Sequence, residues 1–231
     1  LATVHLIPCW LFENELSPIP AYIRKAIADC RVLFVENERS ARRFIKAIDK
    51  SFDIGSFEWH AIHKVEAEQI SIFKEKLKQG LTIGILSEAG CPGIADPGQI
   101  LVDIAQKNNA KLVPFSGPNS IILALMASGM NGQRFEFVGY LPIDEQERSK
   151  RIRELEQESA NQQSSKIFIE TPYRNNQLIQ TIMKNCSGET RLCIAADLTS
   201  TNEFVQTKKV SDWKKQIPEL HKRPAIFILQ A

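Results

Sequence analysis

The sequence predicts an α/β protein of two α/β domains, the first built on a mostly parallel sheet and the second on a mixed one. Three observations carry this. Through the first half, short apolar runs alternate with helical patterns, the rhythm of a parallel sheet flanked by helices. A long loop rich in glycine and proline, Ser87 to Gly98, separates one such run from one such helix. From Phe135 the pattern changes, and the closing strands suggest a mixed sheet with antiparallel pairs.

The elements follow in order. Val4 to Ile7 reads as the first strand, ending at Pro8. Ser17 is placed to cap a helix with Pro18 or Pro20 in its first turn and Ile23, Ala26, Ile27 and Cys30 at helical spacing. Val32 to Val35 is a second strand, and it delivers Glu36-Asn-Glu-Arg39 to its C-terminal end. A helix carrying Phe44, Ile45 and Ile48 follows, then a weaker strand at Phe57 to His60 and a helix marked by Ile70, Phe73 and Leu77. The run Leu81 to Leu86 has the continuous apolar character of a strand buried in a parallel sheet. Beyond the loop, Ile100, Leu101, Ile104 and Ala105 share a helix face, and Lys111 to Pro114 forms a strand. The turn Phe115-Ser-Gly-Pro-Asn-Ser120 opens a helix, Ile121 to Ser128, that is apolar on nearly every side; such a helix is expected to be buried all round. The second half reads as a strand at Phe135 to Leu141, a charged helix within Asp144 to Gln162, a strand at Lys166 to Glu170 and a helix at Gln177 to Lys184. Strands at Arg191 to Ala196, Phe204 to Thr207 and Ala225 to Leu229 complete it, with a short helix around Trp213. The domain boundary is expected at residues 113–117, giving domains 1–114 and 115–231.

Composition narrows the function. A chain of 231 residues with 43% hydrophobic and 24% charged residues has an ordinary globular balance. A net charge of +2 does not by itself call for nucleic acid. No apolar run reaches the roughly 20 residues of a membrane helix, so no membrane association is expected. The first strand begins close to Leu1, so no signal peptide is expected. The five cysteines are odd in number and never spaced as CxxC, the pattern of free thiols in the cytoplasm. His60 and His63 are the one close histidine pair, without the ligands around them that a metal site needs, so no metal is expected.

Common motifs are missing. The turn after the first strand, Pro8-Cys-Trp-Leu-Phe-Glu, has no glycine and so lacks the dinucleotide fingerprint. There is no GxxxxGK[ST] loop and no GxSxG elbow. The two unusual turns are at Ser87–Gly98, small and acidic, and at Phe115–Ser120, opening a helix. Glycine lets backbone approach a ligand and proline stiffens the loop in advance. Free N–H groups at the helix start suit a carboxylate, although Asn119 and Ser120 are equally explained as caps. Together the turns suit a zwitterionic, partly apolar ligand better than a polyphosphate.

Leu86-Ser-Glu-Ala-Gly-Cys-Pro-Gly-Ile-Ala-Asp-Pro-Gly98 resembles the Ser-Asp-Ala-Gly-Thr-Pro-x-Ile-Ser-Asp-Pro-Gly signature of the tetrapyrrole-methylase superfamily. The nearest branch is the one that methylates a cytidine ribose 2′-hydroxyl in small-subunit ribosomal RNA. The resemblance continues at Pro114–Ser120, Ala127–Met130, Phe135–Pro142, Phe168–Arg174 and Ala195–Thr199, and Glu36–Arg39 is similar to the family's Glu-Asp-Thr-Arg. It implies a cytoplasmic homodimer of two-domain chains, with S-adenosylmethionine in a cleft between the domains and ribosomal RNA or the small ribosomal subunit as partner. By position, Ser87, Ala89, Gly90, Cys91, Pro92 and Ile94 would meet the cofactor in the first loop, and Asn119 and Ser120 in the second turn. Glu170, Leu198, Pro224 and Ala225 would form the other wall. Glu36, Arg39 and Arg174, with Glu170, are the candidates beside the reacting hydroxyl, whose proton must be handled.

The sequence also departs from the pattern. The family's Pro-Thr-Pro-Ile-Gly-Asn-Leu opening is Pro8-Cys-Trp-Leu-Phe-Glu-Asn14 here, Glu88 replaces Asp and Cys91 replaces Thr. After Pro142 the branch's basic run is diluted by Asp144, Glu145, Glu147, Glu154 and Glu156. Two alternatives therefore stand beside the RNA methyltransferase: a methyltransferase of a tetrapyrrole or other small molecule, and a non-catalytic relative with Trp10 blocking the acceptor.

Overall fold

The computed structural model describes residues 1–62 and 67–231. His63 lies outside the described residues. Contacts divide the chain into Leu1–Asn119 and Ser120–Ala231.

The first unit runs β1 (Thr3–Ile7), α1 (Ile23–Ala28), β2 (Val32–Val35), α2 (Glu38–Ile48), β3 (Glu58–Ala61), α3 (Ala67–Lys78), β4 (Thr82–Leu86), α4 (Gln99–Lys107) and β5 (Lys111–Pro114). Its five strands lie in the order β3-β2-β4-β1-β5, all parallel. The expected parallel sheet with helices on both faces is found. One face packs Ile7, Leu33 and Val35 on Ile23, Ile27, Phe44 and Ile45. The other packs Val4, Phe34, Ile83 and Ile85 on Phe73, Leu77, Leu101 and Ile104. Burial on both faces is why these strands read as continuous apolar runs.

Two local expectations change. Ser17 caps nothing: its backbone N–H donates to Glu15 Oε1 (2.9 Å), and α1 starts only at Ile23, after Tyr22. Pro18 and Pro20 push the residues before them away from helical geometry, which delays the start. Ile100 is 45% exposed, because the buried stripe of α4 is Leu101, Ile104 and Ala105.

The second unit runs α5 (Ser120–Ser128), β6 (Phe135–Tyr140), α6 (Glu145–Gln162), β7 (Ser165–Ile169), α7 (Asn175–Asn185), β8 (Arg191–Ala196), β9 (Phe204–Lys209), α8 (Val210–Trp213) and β10 (Ala225–Gln230). Its sheet has the order β6-β7-β10-β8-β9. β6 pairs with β7 in parallel, whereas β10 is antiparallel to both β7 and β8, and β9 to β8. The mixed sheet is therefore as expected. Its core gathers Ile152 and Leu155 of α6, Leu178 and Ile182 of α7, and Trp213, whose indole N–H donates to Leu192 O (2.9 Å). Asp144 caps α6 by accepting from Gln146 N and Glu147 N.

The helix α5 is not buried on every side. Ile121, Ala124, Leu125 and Ser128 are covered, while Ile122 is 43% and Met126 74% exposed. A helix apolar all round has no polar face to reveal which side is left open. Among the described residues no helix is long and apolar enough to cross a membrane.

Candidate functional site

In the first unit the strand order brings the loops after β1, β2, β4 and β5 to one edge of the sheet. β4 sits at its centre, between β2 and β1, where open α/β sheets hold ligands at the strand ends. The loop after β4 is tied down at several points. Cys9 N–H donates to Gly90 O (2.8 Å), pairing the two segments in an antiparallel bridge. Ser87, buried, donates its hydroxyl to Ala89 O (3.1 Å), so this candidate shapes the loop. Gly93 N–H donates to Pro97 O and Ile94 N–H to Cys91 O, closing the loop on itself. Gly90 turns at φ 72°, and Ala95 accepts a left-handed φ of 63° that side chains resist. Ile94 is 49% exposed.

The second turn packs onto the first. A Cβ on Gly117 would fall 2.3 Å from Pro8 Cβ and Cγ, so only glycine fits between β1's exit and β5's. Cys91 Sγ donates to Pro118 O (3.5 Å). Burial pushes the Cys91 thiol up, and a hydrogen bond with Asn119 pulls it partly back. Cys91, Gly90 and Asn119 are thus brought together, beside half-buried Asp96.

Three carboxylates converge at the same edge. Glu36 Oε2, at the exit of β2, accepts from Glu88 N–H (2.8 Å). Glu88 Oε1 in turn accepts from the Ser40 hydroxyl (2.7 Å). Burial, with Glu36 and Glu88 as negative neighbours, pushes the Asp96 carboxyl up to about 7. Among the described residues no ion pair engages Glu36, Glu88 or Asp96. Sequence reasoning assigned Asp96 and Glu88 no role. Their acids were visible in the loop, but their meeting with Glu36 follows from the β2–β4 register, Val35 beside Leu86. Arg39 is exposed in the first turn of α2.

Trp10 is 5% exposed and lies edge-to-face on Phe44 (5.2 Å, 79°) within the first unit's core. It is a core residue, so the blocked-acceptor alternative loses its mark.

In the second unit, Glu170, Arg174, Leu198, Pro224 and Ala225 gather where β7 and β8 end and β10 begins. Glu170 is buried, and its Oε1 accepts from Thr171 N–H (2.6 Å), Arg174 Nε (3.0 Å) and Arg174 Nη2 (2.7 Å). Pro224 O accepts from Asp197 N–H (2.9 Å), and Ala225 pairs with Ala196. Leu198 and Ala225 are buried and Pro224 exposed. Ser120 is the first residue of α5. His60 stacks on Phe34 and bonds Glu58, and no metal-ligand cluster occurs among the described residues.

The fold is that of methyltransferases of known structure. Methyltransferase CobJ superposes with a TM-score of 0.63 at 13% identity, covering 99% of this chain and 93% of that one. The uroporphyrin-III-C-methyltransferase of Thermus thermophilus gives 0.59 at 14%, covering 100% and 94%. In sequence the chain is similar to proteins named ribosomal RNA small subunit methyltransferase I. It is 35% identical over 141 residues to that of Vibrio cholerae serotype O1, covering 61% of this chain and 48% of the relative. It is 30% identical over 168 residues to that of Pasteurella multocida, covering 71% and 58%. The match thus spans about half the length of these curated relatives. No family model matches the chain. The resemblance drawn from the glycine–proline motifs, in superfamily and in branch, is borne out by these relatives.

Proposed function

We propose that the chain is an S-adenosylmethionine-dependent methyltransferase whose acceptor is a ribose 2′-hydroxyl of small-subunit ribosomal RNA. The observation that carries this reading is the junction of the two glycine–proline turns at the end of β4, with three carboxylates around it. The donor set fits the cofactor. A cation is what relieves a carboxyl crowded by two others, and the cofactor carries both an ammonium and a sulfonium. Exposed Ile94 offers apolar surface for the adenine, and the loop's backbone groups offer partners for the polar atoms.

When bound, S-adenosylmethionine supplies an electrophilic methyl group. The chain's own work is to position the groups and take the hydroxyl proton. Glu36 spends one oxygen on Glu88 N–H and so holds the loop. Of the three carboxylates, Glu36 and Glu88 each spend an oxygen on a protein donor, which leaves Asp96 to accept the proton at its Oδ. Arg39, exposed in the first turn of α2, serves as a phosphate contact in this reading. In the second unit Arg174 is held by Glu170, and Leu198, Pro224 and Ala225 are the further cofactor contacts that the resemblance implies. The protein acts as a cytoplasmic homodimer in this reading, and size-exclusion chromatography with light scattering tests the dimer.

The deciding assay is transfer of labelled methyl from S-adenosylmethionine to small ribosomal subunits lacking the modification. Label in a ribose 2′-O position supports the reading. Label on tetrapyrroles alone favours the small-molecule alternative.

A further inference from the structure

The second unit carries a surface that none of the cofactor-binding candidates uses. The turn Thr171-Pro-Tyr-Arg174 and the loop Glu219-Leu-His-Lys-Arg223 are locked together. Lys222 N–H donates to Pro172 O (3.0 Å), Leu220 N–H to Asn176 Oδ1 (2.9 Å) and Asn175 Nδ2 to Arg223 O (2.6 Å). Leu220 is buried beneath. Lys222 holds a left-handed φ of 62°, a conformation that costs a side chain energy and persists because these bonds fix it.

What the two loops present outward is chemically specific. Tyr173 is 69% exposed, and its ring is set edge-to-face against exposed His221 (5.8 Å, 73°). Exposed Lys222 stands next in the chain. Arg223 is engaged by Asp197 (2.6 Å), whereas Lys222 has no ion pair among the described residues. Glu219, on the same loop, is occupied by Asn176 and by His221 N–H. An exposed aromatic ring on one loop and an exposed lysine without an ion pair on the loop bonded to it match the alternation of base and phosphate along a single strand.

We propose that Tyr173, His221 and Lys222 form the surface on which the second unit seats a single-stranded stretch of RNA, with the Tyr173 ring stacked on a base and Lys222 meeting the adjacent phosphate. This rests on the reading of the protein as an RNA methyltransferase and names where its RNA is held.

The test is fluorescence anisotropy of a labelled, unstructured RNA oligonucleotide with the full chain, across a salt series. Stacking on one base predicts that Tyr173→Ala weakens binding about 5- to 150-fold, while Tyr173→Phe stays near the parent. Lys222→Gln, which keeps the backbone demand of a side chain, should make the log–log salt slope shallower by about 0.7. S-adenosylmethionine titrations of the same variants should match the parent and show them folded. Parent-like RNA affinity in Tyr173→Ala, or an unchanged slope in Lys222→Gln, overturns the surface and leaves the enzyme reading standing. A parent chain that binds the cofactor but no RNA overturns the RNA acceptor, and the surface with it.

Discussion

The two units offer a ligand different things. The first presents backbone: loops held by Cys9–Gly90 and Cys91–Pro118 contacts, with glycine where a side chain would collide. The second presents side chains, above all a buried carboxylate, Glu170, neutralised by Arg174 and a backbone N–H. Loop shape and carboxylates without ion pairs decide the first site, and a carboxylate paired with arginine the second. Substitutions should therefore act on stability and on binding in different proportions in the two units.

The largest effect falls on the first unit's core. Trp10→Ala should cost about 3–5 kcal/mol in urea unfolding, as for other buried aromatics, and no gain in acceptor access should accompany it. Full stability with improved turnover would return Trp10 to the crevice. In the second unit, Glu170→Gln should cost about 2–3 kcal/mol, below the figure for a fully buried pair because Arg174 is partly exposed. Thermal unfolding at neutral pH reads it, and an unchanged midpoint would mean that the pair is not structural.

Gly117→Ala should cost about 1–3 kcal/mol through overpacking on Pro8, yet its effect on cofactor affinity should exceed that of Glu170→Gln. Calorimetric titration of both variants decides, and the reverse ranking would break the contrast between backbone and side chain. Asp96→Asn should have the smallest effect on stability. A carboxyl raised to about 7 binds its proton more tightly in the folded chain than in the unfolded one. Its stabilising contribution is therefore complete at low pH and is lost as pH rises through 7. Discounted for solvent screening, Asp96→Asn should gain about 1 kcal/mol above pH 7 and nothing near pH 3. Equal gains at both pH values would remove the carboxylate cluster from the account.

Much of the fold was legible because burial imposes simple patterns. Val32–Val35 and Arg191–Ala196 have the expected bounds, since strands covered on both faces show as unbroken apolar runs. What was not legible depends on partners distant in sequence. The exposed side of α5 is set by which strands it covers, and its sequence is apolar on either side. The two turns of the candidate site were legible where backbone demands glycine, at Gly90 and Gly117. It was not legible at Asp96, whose proton affinity is raised by burial and then by Glu36, sixty positions earlier. The turn that carries Tyr173 and the loop that carries Lys222 likewise meet only through packing distant in sequence.

The central claim is that the first unit's two turns form a seat for S-adenosylmethionine. Isothermal titration of the folded chain with this cofactor tests it most directly. The account predicts saturable binding with a Kd on the order of micromolar. A folded protein that gives no heat and no competition at millimolar cofactor would contradict it, because the Cys91 loop would then have lost the site that its shape implies.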